Sequence, residues 1–364
     1  MAGVYLSYPF CAQKCTFCNF ASGAAAKDAE RAYLEALEAE IRGFAWPWRP
    51  ETLYLGGGTP SRMAPGDLDR ILAAIPGKPW REATIEAAPG TVTPEAARNW
   101  RTAGLNRVSL GVQSFVAGEL ASTGRRHNAA MVAREVEWLR AAGFEKINID
   151  LIAGLPYQTA ESWGESLNWI ARLQPDHVSV YILEVDEDSR LGAEILRGGA
   201  RYGAAQVPSP DMAAGLYEMA VERLEAMGIL RYEISNFARP GFESLHNLKY
   251  WRLEPYVGFG AGAHSFDGTV RRRNAEEAAE YVRLMRERGS ACTGETPAEP
   301  DVERFFVGLR LSEGIELSPQ DWRRHGAPIR RFQDAGLLAI QQGRLRLTSR
   351  GVLLSNEVLQ EFLA

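Results

Sequence analysis

The amino-acid sequence predicts an α/β protein made of a partial, TIM-like (β/α)6 barrel and a C-terminal, mostly helical domain of winged-helix-like form. Six short segments rich in strand-forming residues alternate with helical patterns, at a spacing of about thirty residues that is typical of βα units. The last ~70 residues leave this alternation and are typical of helices followed by a hairpin. Six units favour a barrel that is open on one side over a closed one of eight strands. A Rossmann-type sheet is the alternative, but its glycine turn with a later acidic residue is missing.

The strands of the barrel are predicted from runs of apolar and β-branched residues. The first leads into a cysteine-rich loop, and the second ends at a run of three glycines. The predicted strands are Val4–Tyr8, Thr52–Leu55, Glu82–Ala87, Arg107–Gln113, Lys146–Ile152 and His177–Leu183.

The helices between these strands are predicted from apolar periodicity and from capping residues. An apolar stripe through Tyr33, Leu37 and Ile41 predicts a helix over Asp28–Phe44. Thr93, Asn128 and Thr159 stand where N-caps are expected, and each precedes a helical pattern.

After Glu184 the alternation weakens, and we expect three parts with boundaries at 1–235, 236–295 and 296–364. An exposed loop over 198–210 precedes a helix over Asp211–Met227, and residues 232–237 form an extended segment that runs on to H-N-L-K-Y-W, His246–Trp251. In the last part the sequence predicts three short helices, a hairpin around Gln342-Gly343 and a closing helix. The three helices and the two hairpin strands are Asp301–Leu311, Pro319–His325, Pro328–Ala335, Leu337–Gln341 and Arg344–Thr348.

The chemistry of the chain centres on a cysteine loop. Cys11, Cys15 and Cys18 fall within eight residues, and only Cys292 lies elsewhere. Three thiolates without a second cysteine or histidine pair do not make the usual structural zinc site. They favour an iron–sulfur cluster in which one iron keeps an open position for a ligand. Buried cysteines acting as small hydrophobes are the alternative.

Polar residues and a glycine run stand at the carboxyl ends of the predicted strands, the end at which barrels build their sites. Gly56, Gly57 and Gly58 are expected to let the backbone approach a ligand and point N–H groups at it. The polar residues expected around an apolar barrel mouth are Glu86, Gln113, Asp150 and Glu184.

The composition excludes several classes of protein. The net charge is −5 with no long run of one sign, which does not fit a nucleic-acid-binding surface. No apolar run reaches the ~18–20 residues of a membrane span, although peripheral membrane association stays open. Because the cysteines form a metal-type group and not a disulfide framework, we expect a cytoplasmic protein.

The cysteine spacing, with Phe17 before the third cysteine, resembles the radical S-adenosylmethionine (SAM) superfamily, whose open iron binds the amino and carboxylate groups of SAM. Within it, the chain resembles the group that contains oxygen-independent coproporphyrinogen III oxidase and HemW-type haem chaperones. The resemblance covers nearly the whole chain. Its motifs are the cysteine loop, G-G-G-T-P-S, E-A-A-P-G-T, N-R-V-S-L-G-V-Q-S-F, N-I-D-L-I-A-G-L-P, H-N-L-K-Y-W and the C-terminal domain.

The resemblance implies that Cys11, Cys15 and Cys18 hold a 4Fe-4S cluster. It also places a set of residues at SAM-contacting positions. Glu184 is added to this set because it follows the end of the sixth predicted strand. The SAM set is Tyr5, Phe17, Gly57, Gly58, Thr59, Glu86, Gln113, Arg125, Asp150 and Glu184.

Two features indicate the chaperone type and not the oxidase type. The oxidase-type loop has a further cysteine where this chain has Phe20, and H-N-L-K-Y-W matches the chaperone motif H-N-x-x-Y-W. By this resemblance His246, Tyr250 and Trp251 are the candidate haem-binding residues. Ser7 stands where the family usually has a histidine before the cluster cysteines.

We therefore expect a chaperone that binds haem and delivers it to acceptors such as respiratory enzymes, with the cluster and SAM site retained. The alternative is a catalytic radical SAM enzyme, coproporphyrinogen III dehydrogenase-like or C-methyltransferase-like, that generates a 5′-deoxyadenosyl radical. A flavodoxin or ferredoxin is the implied reductant if the cluster turns over. A zinc- or DNA-binding regulator is a weaker third hypothesis.

Overall fold

A computed structural model describes residues 2–363 and confirms the α/β fold. Six consecutive strands lie side by side in chain order, each parallel to the next, as in an open (β/α) barrel. All six predicted strands are confirmed, with ends that agree to within two residues. They are β1 (Gly3–Tyr8), β2 (Thr52–Gly57), β3 (Glu82–Ala87), β4 (Arg107–Gln113), β5 (Lys146–Ala153) and β6 (His177–Ile182).

Helices pack on the outer face of this barrel. Thr93, Asn128 and Thr159 cap their helices as predicted, each side chain accepting a bond from a backbone N–H three residues on. The helices α2, α4 and α7 were not predicted. In order, the helices are α1 (Lys27–Gly43), α2 (Pro65–Ala73), α3 (Pro94–Thr102), α4 (Ala117–Ser122), α5 (Ala129–Ala141), α6 (Ala160–Leu173), α7 (Arg190–Leu196) and α8 (Pro210–Ala226).

The sheet extends beyond the six predicted strands on both sides, to twelve strands in all. β9 is parallel to β1, and three antiparallel steps lead on to β12, while β8 and β7 continue the sheet past β6. These elements are β7 (Leu230–Arg231), β8 (Asn236–Ala238), α9 (Leu245–Trp251), β9 (Tyr256–Phe259), β10 (His264–Phe266), β11 (Val270–Asn274), α10 (Ala278–Arg288) and β12 (Cys292–Pro297).

The two faces of the barrel strands differ in chemistry. Alternate residues such as Leu53, Ile85 and Val108 are fully buried in the main hydrophobic core. The residues between them are buried but polar, and they bond to one another across strands: Asn148 Nδ2 donates to Ser109 Oγ at 2.7 Å. The barrel interior is therefore polar, because the strands alternate polar and apolar residues with period two.

The H-N-L-K-Y-W segment is a helix, α9, and not part of the extended segment expected from sequence. Ser244 caps it by accepting a bond from the N–H of Asn247. α9 lies against the starts of the barrel strands, because its His246 backbone N–H donates to Glu82 Oε1 at 3.1 Å. The helix thus covers the amino-terminal end of the barrel, which we call the floor.

The C-terminal part contains helices and a three-stranded sheet around its own hydrophobic cluster, which includes Phe305, Ile329 and Phe362. The prediction of separate helices on either side of Pro328 is wrong, since one helix runs through this proline. Proline removes one helical hydrogen bond, but the buried side chains of His325, Ile329 and Phe332 hold both halves to the cluster. The elements are α11 (Pro300–Gly308), β13 (Ile315–Glu316), α12 (Pro319–Asp334), β14 (Leu338–Gln341), β15 (Arg344–Leu347), α13 (Ser349–Leu353) and α14 (Ser355–Gln360).

Among the helices described between residues 2 and 363, none has both the length and the apolar character that crossing a membrane requires.

Candidate functional site

The cysteine loop follows β1 at the carboxyl ends of the barrel strands, which we call the mouth. Its backbone is held from two sides. Thr16 N–H donates to Thr123 O at 3.2 Å, and its carbonyl accepts from Leu191 N–H at 2.8 Å. Asn19 Nδ2 donates to Asp186 Oδ2 at 3.0 Å. The loop is thus fixed between the segment after β4 and the segment after β6.

The three loop cysteines are free thiols and partly buried. Burial raises the pKa of the Cys18 thiol. Among residues 2–363 no group of three or more His, Cys, Asp or Glu side chains surrounds one point as a single metal ion would need. In an iron–sulfur cluster the thiolates bind different irons, so three cysteines spread along one loop suit a cluster better than a lone ion.

The glycine run does not present its N–H groups to a ligand, contrary to the prediction. Gly57 N–H donates to Glu86 Oε2 at 3.1 Å, and Gly58 and Thr59 N–H groups donate to the carbonyls of Tyr8 and Phe10 at 2.7 and 2.9 Å. A Cβ on Gly58 would lie 2.7 Å from Phe10 O. The glycine is needed here because the loops after β1 and β2 approach so closely.

Glu86 and Asp150 lie inside the barrel. Tyr54 hydroxyl donates to Glu86 Oε1 at 2.9 Å. Burial, with a smaller effect of the Asp150 carboxylate, raises the pKa of Glu86 to about 7. Burial also raises the pKa of Asp150, which accepts a bond from Asn148 Nδ2 at 2.6 Å. The mouth therefore holds two carboxyl groups that would interact favourably with a cation.

Gln113 and Arg125 carry polar atoms that lack partners. Among the buried side-chain atoms of the described chain, Gln113 Oε1 and Arg125 Nε have no hydrogen bond. Gln113 has a left-handed backbone (φ 71°) after an irregularity in the β4–β5 register. The Arg125 guanidinium lies 6.0 Å from the Phe17 ring centre, beside the cysteine loop. Unpaired buried polar atoms such as these, one of them on an arginine beside the cysteine loop, are the chemistry that a polar cofactor such as SAM would satisfy.

Of the remaining candidates, Tyr5 and Ser7 lie on β1, and Glu184 lies beyond β6. The Tyr5 ring stacks on Tyr54 with centres 6.2 Å apart, and burial raises its pKa. Ser7, at the position of the usual histidine, is buried, and its carbonyl accepts a bond from Tyr33. Glu184 is exposed beyond the end of β6.

The candidate haem residues lie at the floor and not with the mouth residues. His246 is 1% exposed, and both ring nitrogens are engaged: Nδ1 with Thr52 Oγ1 at 2.9 Å and Nε2 with Tyr250 Oη at 2.8 Å. Burial lowers its pKa to about 3. Tyr250 and Trp251 line a cavity of about 340 Å³ outside the barrel. The two groups of candidates are joined through Tyr54, whose ring centre lies 5.4 Å from that of His246 and whose hydroxyl donates to Glu86.

Several residues that shape the barrel interior were not singled out in the sequence. Tyr54 bonds to Glu86. Fully buried Arg107 also lowers the pKa of His246, after the larger effects of burial and of Lys249. His177 shares a 2.7 Å hydrogen bond with Asn148. The signal that could have found them is a polar residue at every second position of β2 to β6.

Two family models match the chain. The model described as the radical SAM superfamily matches residues 5–170, and the model of the HemN C-terminal domain matches residues 296–354.

Relatives match over the whole length. The heme chaperone HemW of Bacillus subtilis strain 168 is 34% identical, with 100% of this chain and 99% of that protein covered. The heme chaperone HemW of Lactococcus lactis is 33% identical, with coverage of 99% and 96%. The solved structure of Escherichia coli coproporphyrinogen III oxidase (HemN), a radical SAM enzyme, superposes with a TM-score of 0.85 at 24% identity, covering 99% of this chain and 89% of that one. That likeness is one of fold.

Proposed function

This chain belongs to the HemW-type group of the radical SAM superfamily, and from this membership we propose that it is a haem chaperone. In our proposal it binds haem and delivers it to haem-dependent acceptors such as respiratory enzymes, in the cytoplasm. The observation that carries the proposal is the position of the complete H-N-L-K-Y-W motif. It forms a helix of its own, α9, whose Tyr250 and Trp251 line an open cavity away from the cysteine loop.

The mouth residues fit the cofactors of the superfamily. Cys11, Cys15 and Cys18 would hold a 4Fe-4S cluster, and the unpaired polar atoms of Gln113 and Arg125 would bind SAM. When bound, the cluster supplies one-electron chemistry toward SAM. The chain itself orients the cofactor and fixes the loop between its two neighbours. A flavodoxin or ferredoxin would supply electrons if the cluster turns over.

His246 is our candidate iron ligand, and its surroundings set a condition for that role. Its Nε2 now bonds to the Tyr250 hydroxyl. To bind iron, the imidazole would have to exchange that hydroxyl for the metal, so Tyr250 would have to move. The low pKa caused by burial keeps the ring neutral, which is the form that binds metals.

The test is a haem titration of the protein reconstituted with its cluster under anaerobic conditions and with SAM bound. We expect wild type to give a specific visible haem band, and His246→Ala to shift or abolish it. His264→Ala is the matched control, because His264 also lies beside aromatic residues but is exposed and outside α9. A wild type that takes up no haem would overturn the proposal.

A catalytic radical SAM enzyme is the second candidate function. It is favoured by the unpaired polar atoms of Gln113 and Arg125, which catalysis would also use. The two functions differ in products. Steady release of 5′-deoxyadenosine on adding coproporphyrinogen III, without specific haem binding, would establish the enzyme.

A further inference from the structure

A series of hydrogen bonds crosses the polar interior of the barrel and ends on the carboxyl group of Asp150. It begins at the backbone of Ser244, before α9, and passes through β6 and β5. His177 and Asn148, in its middle, are each only 2% exposed, so water does not replace their bonds. We call this series the Asp150 network. Its members are the Ser244 backbone N–H and the side chains of Tyr232, His177, Asn148 and Asp150.

The carboxyl group of Asp150 sets the orientation of the Asn148 amide. The two shortest contacts of Asn148 Nδ2 are with Asp150 Oδ1 at 2.6 Å and Ser109 Oγ at 2.7 Å. The Ser109 hydroxyl in turn donates to Asp150 Oδ2 at 3.3 Å. The reverse orientation would set the amide oxygen against a carboxylate oxygen, and neither atom is a donor. The amide nitrogen of Asn148 therefore faces Asp150, and its oxygen faces His177.

The amide oxygen of Asn148 then fixes the tautomer of His177. It lies 2.7 Å from His177 Nδ1 and can only accept, so Nδ1 carries the proton. Burial, with a smaller effect of Arg107, lowers the pKa of His177 well below its ordinary value, so the ring is neutral and Nε2 is unprotonated. The Tyr232 hydroxyl, 2.9 Å away, therefore donates to Nε2. The hydroxyl oxygen accepts a bond from the N–H of Ser244 at 3.2 Å.

Every bond of the Asp150 network donates towards Asp150. Hydrogen bonds that follow one another in one direction polarise each other, so each donor strengthens the next. The far end of the network is held in place, because the Ser244 side chain also caps α9 by accepting a bond from the N–H of Asn247. The Asp150 carboxyl group thus receives donors from Asn148 and Ser109 and is held in one orientation.

We propose that His177 is a positioning residue of the SAM site, which acts through Asn148 to hold the Asp150 carboxylate in the orientation that receives SAM. This inference rests on the proposed function, in which SAM binds at the mouth and Asp150 is one of its contacts. His177 itself does not touch SAM, because Asn148 lies between it and Asp150. A network that served only the fold would stabilise the barrel without acting through Asp150, and the test separates these two roles.

The test is a double-mutant cycle, measured by equilibrium binding of SAM to the protein reconstituted with its cluster under anaerobic conditions. We expect His177→Leu to weaken SAM binding by about tenfold, because the Asn148 amide loses the donor that fixes it. In protein that already carries Asp150→Asn, the same substitution should change the affinity by less than about twofold, because the carboxylate through which His177 acts is gone. His325→Leu is the matched control, since His325 is also buried, at 4% exposed, but lies on α12.

The outcomes separate this inference from the proposed function. If wild type binds no SAM, the SAM site of the proposed function fails, and the inference fails with it. If wild type binds SAM and His177→Leu binds it as tightly as the His325→Leu control, the SAM site stands and His177 does not position it. Equal losses of affinity with and without Asp150→Asn would show that His177 supports the fold and does not act through Asp150.

A second measurement keeps His177 in place and does not depend on whether His177→Leu folds. Nitrogen NMR of the protein labelled at its histidine rings should show His177 as a neutral ring with the proton on Nδ1 and a hydrogen bond at Nε2. Tyr232→Phe removes only the hydroxyl, so it identifies the Nε2 resonance by shifting it towards that of a free imidazole nitrogen. Adding SAM to wild type should shift the Nδ1 resonance. A proton on Nε2, or an Nδ1 resonance that SAM leaves unchanged, would overturn the inference.

Discussion

Single residues at the mouth combine burial with ionisable chemistry, and Glu86 is the clearest case. Its carboxyl accepts bonds from Gly57 N–H and the Tyr54 hydroxyl, yet burial still raises its pKa to about 7. The ordinary value is 4.5. Between pH 4.5 and pH 7 the unfolded chain has released this proton while the folded chain still holds it. The contribution of Glu86 to the free energy of unfolding therefore falls as the pH rises towards 7.

The pKa of Glu86 predicts how SAM binding depends on pH. Below pH 7 the free protein holds a proton on Glu86, and positively charged SAM favours the carboxylate, so binding releases that proton. We expect SAM to bind about tenfold more tightly at pH 7.5 than at pH 6, with a plateau above. Equilibrium binding measured across this range checks the slope.

Two variants test whether Glu86 causes that slope. Glu86→Gln should make the affinity nearly independent of pH. Glu135→Gln should keep the slope, because Glu135 has a pKa also raised to about 7 by burial but lies on α5 and bonds to Gly90 N–H. An unchanged slope in Glu86→Gln would contradict the assignment.

At the scale of one element, the pairing of β4 with β5 is irregular where β4 carries the side chain of Gln113. The register with β5 shifts between Leu110 and Gln113, and Gln113 takes a left-handed backbone with φ of 71°. This conformation costs a residue with a side chain about 1–2 kcal/mol. Gln113 Oε1 is left buried without a partner, and the Gln113 amide nitrogen and the Arg125 guanidinium both lie beside Gly111. The strain is therefore located where we propose that SAM binds.

This geometry predicts opposite effects on stability and binding. Gln113→Gly should stabilise the folded protein by up to about 1 kcal/mol, since glycine accepts the left-handed backbone. It should also weaken SAM binding, because the amide is lost. Thermal unfolding and SAM titration of the same variant measure both.

The control is a second glutamine in the same conformation. Gln174 is exposed, has φ of 48° and ends α6. Gln174→Gly should stabilise the protein without changing SAM affinity. Equal losses of SAM affinity in both variants would show that the change of backbone caused by glycine, and not the loss of the Gln113 amide, weakens SAM binding.

The elements that the sequence predicts well are those with local signals. The N-caps Thr93, Asn128 and Thr159 lie where their side-chain types and the following apolar periodicity place them. α9 was missed because seven residues with adjacent aromatic rings also suit an extended segment. The sequence predicts two helices around Pro328 because proline ordinarily ends a helix. The packing that keeps one continuous helix comes from residues that are distant in the chain.

At the scale of the whole molecule, the candidate residues separate into two ends of one barrel. The sequence could place Cys11, Glu86 and Asp150 at the mouth because parallel strands bring their carboxyl ends together. It could not place His246, since the contact with Thr52 joins residues 194 apart in the chain. Nothing local in the motif shows that α9 covers the floor.

The two-ended arrangement predicts independent binding of SAM and haem. If haem binds at α9 on the floor and SAM binds at the mouth, a saturating amount of either ligand should change the affinity for the other by less than about twofold, because the two ligands would contact opposite ends of the barrel strands. Titrations of haem with and without SAM measure this. Mutual exclusion of the two ligands would instead mean that both occupy the mouth.

The position of β1 has a consequence for how the protein is made. β1 is an interior strand, paired with β2 on one side and with β9 on the other, where Gly3 faces Tyr256. Roughly 250 residues must be synthesised between these partners, which takes about 10–50 s at ordinary translation rates. Throughout that interval one edge of the first strand is unpaired, and the cysteine loop that follows it is not yet enclosed. During synthesis there is thus a period in which cofactor-loading proteins can reach the thiols. In the same period chaperones must cover the unpaired edge of β1.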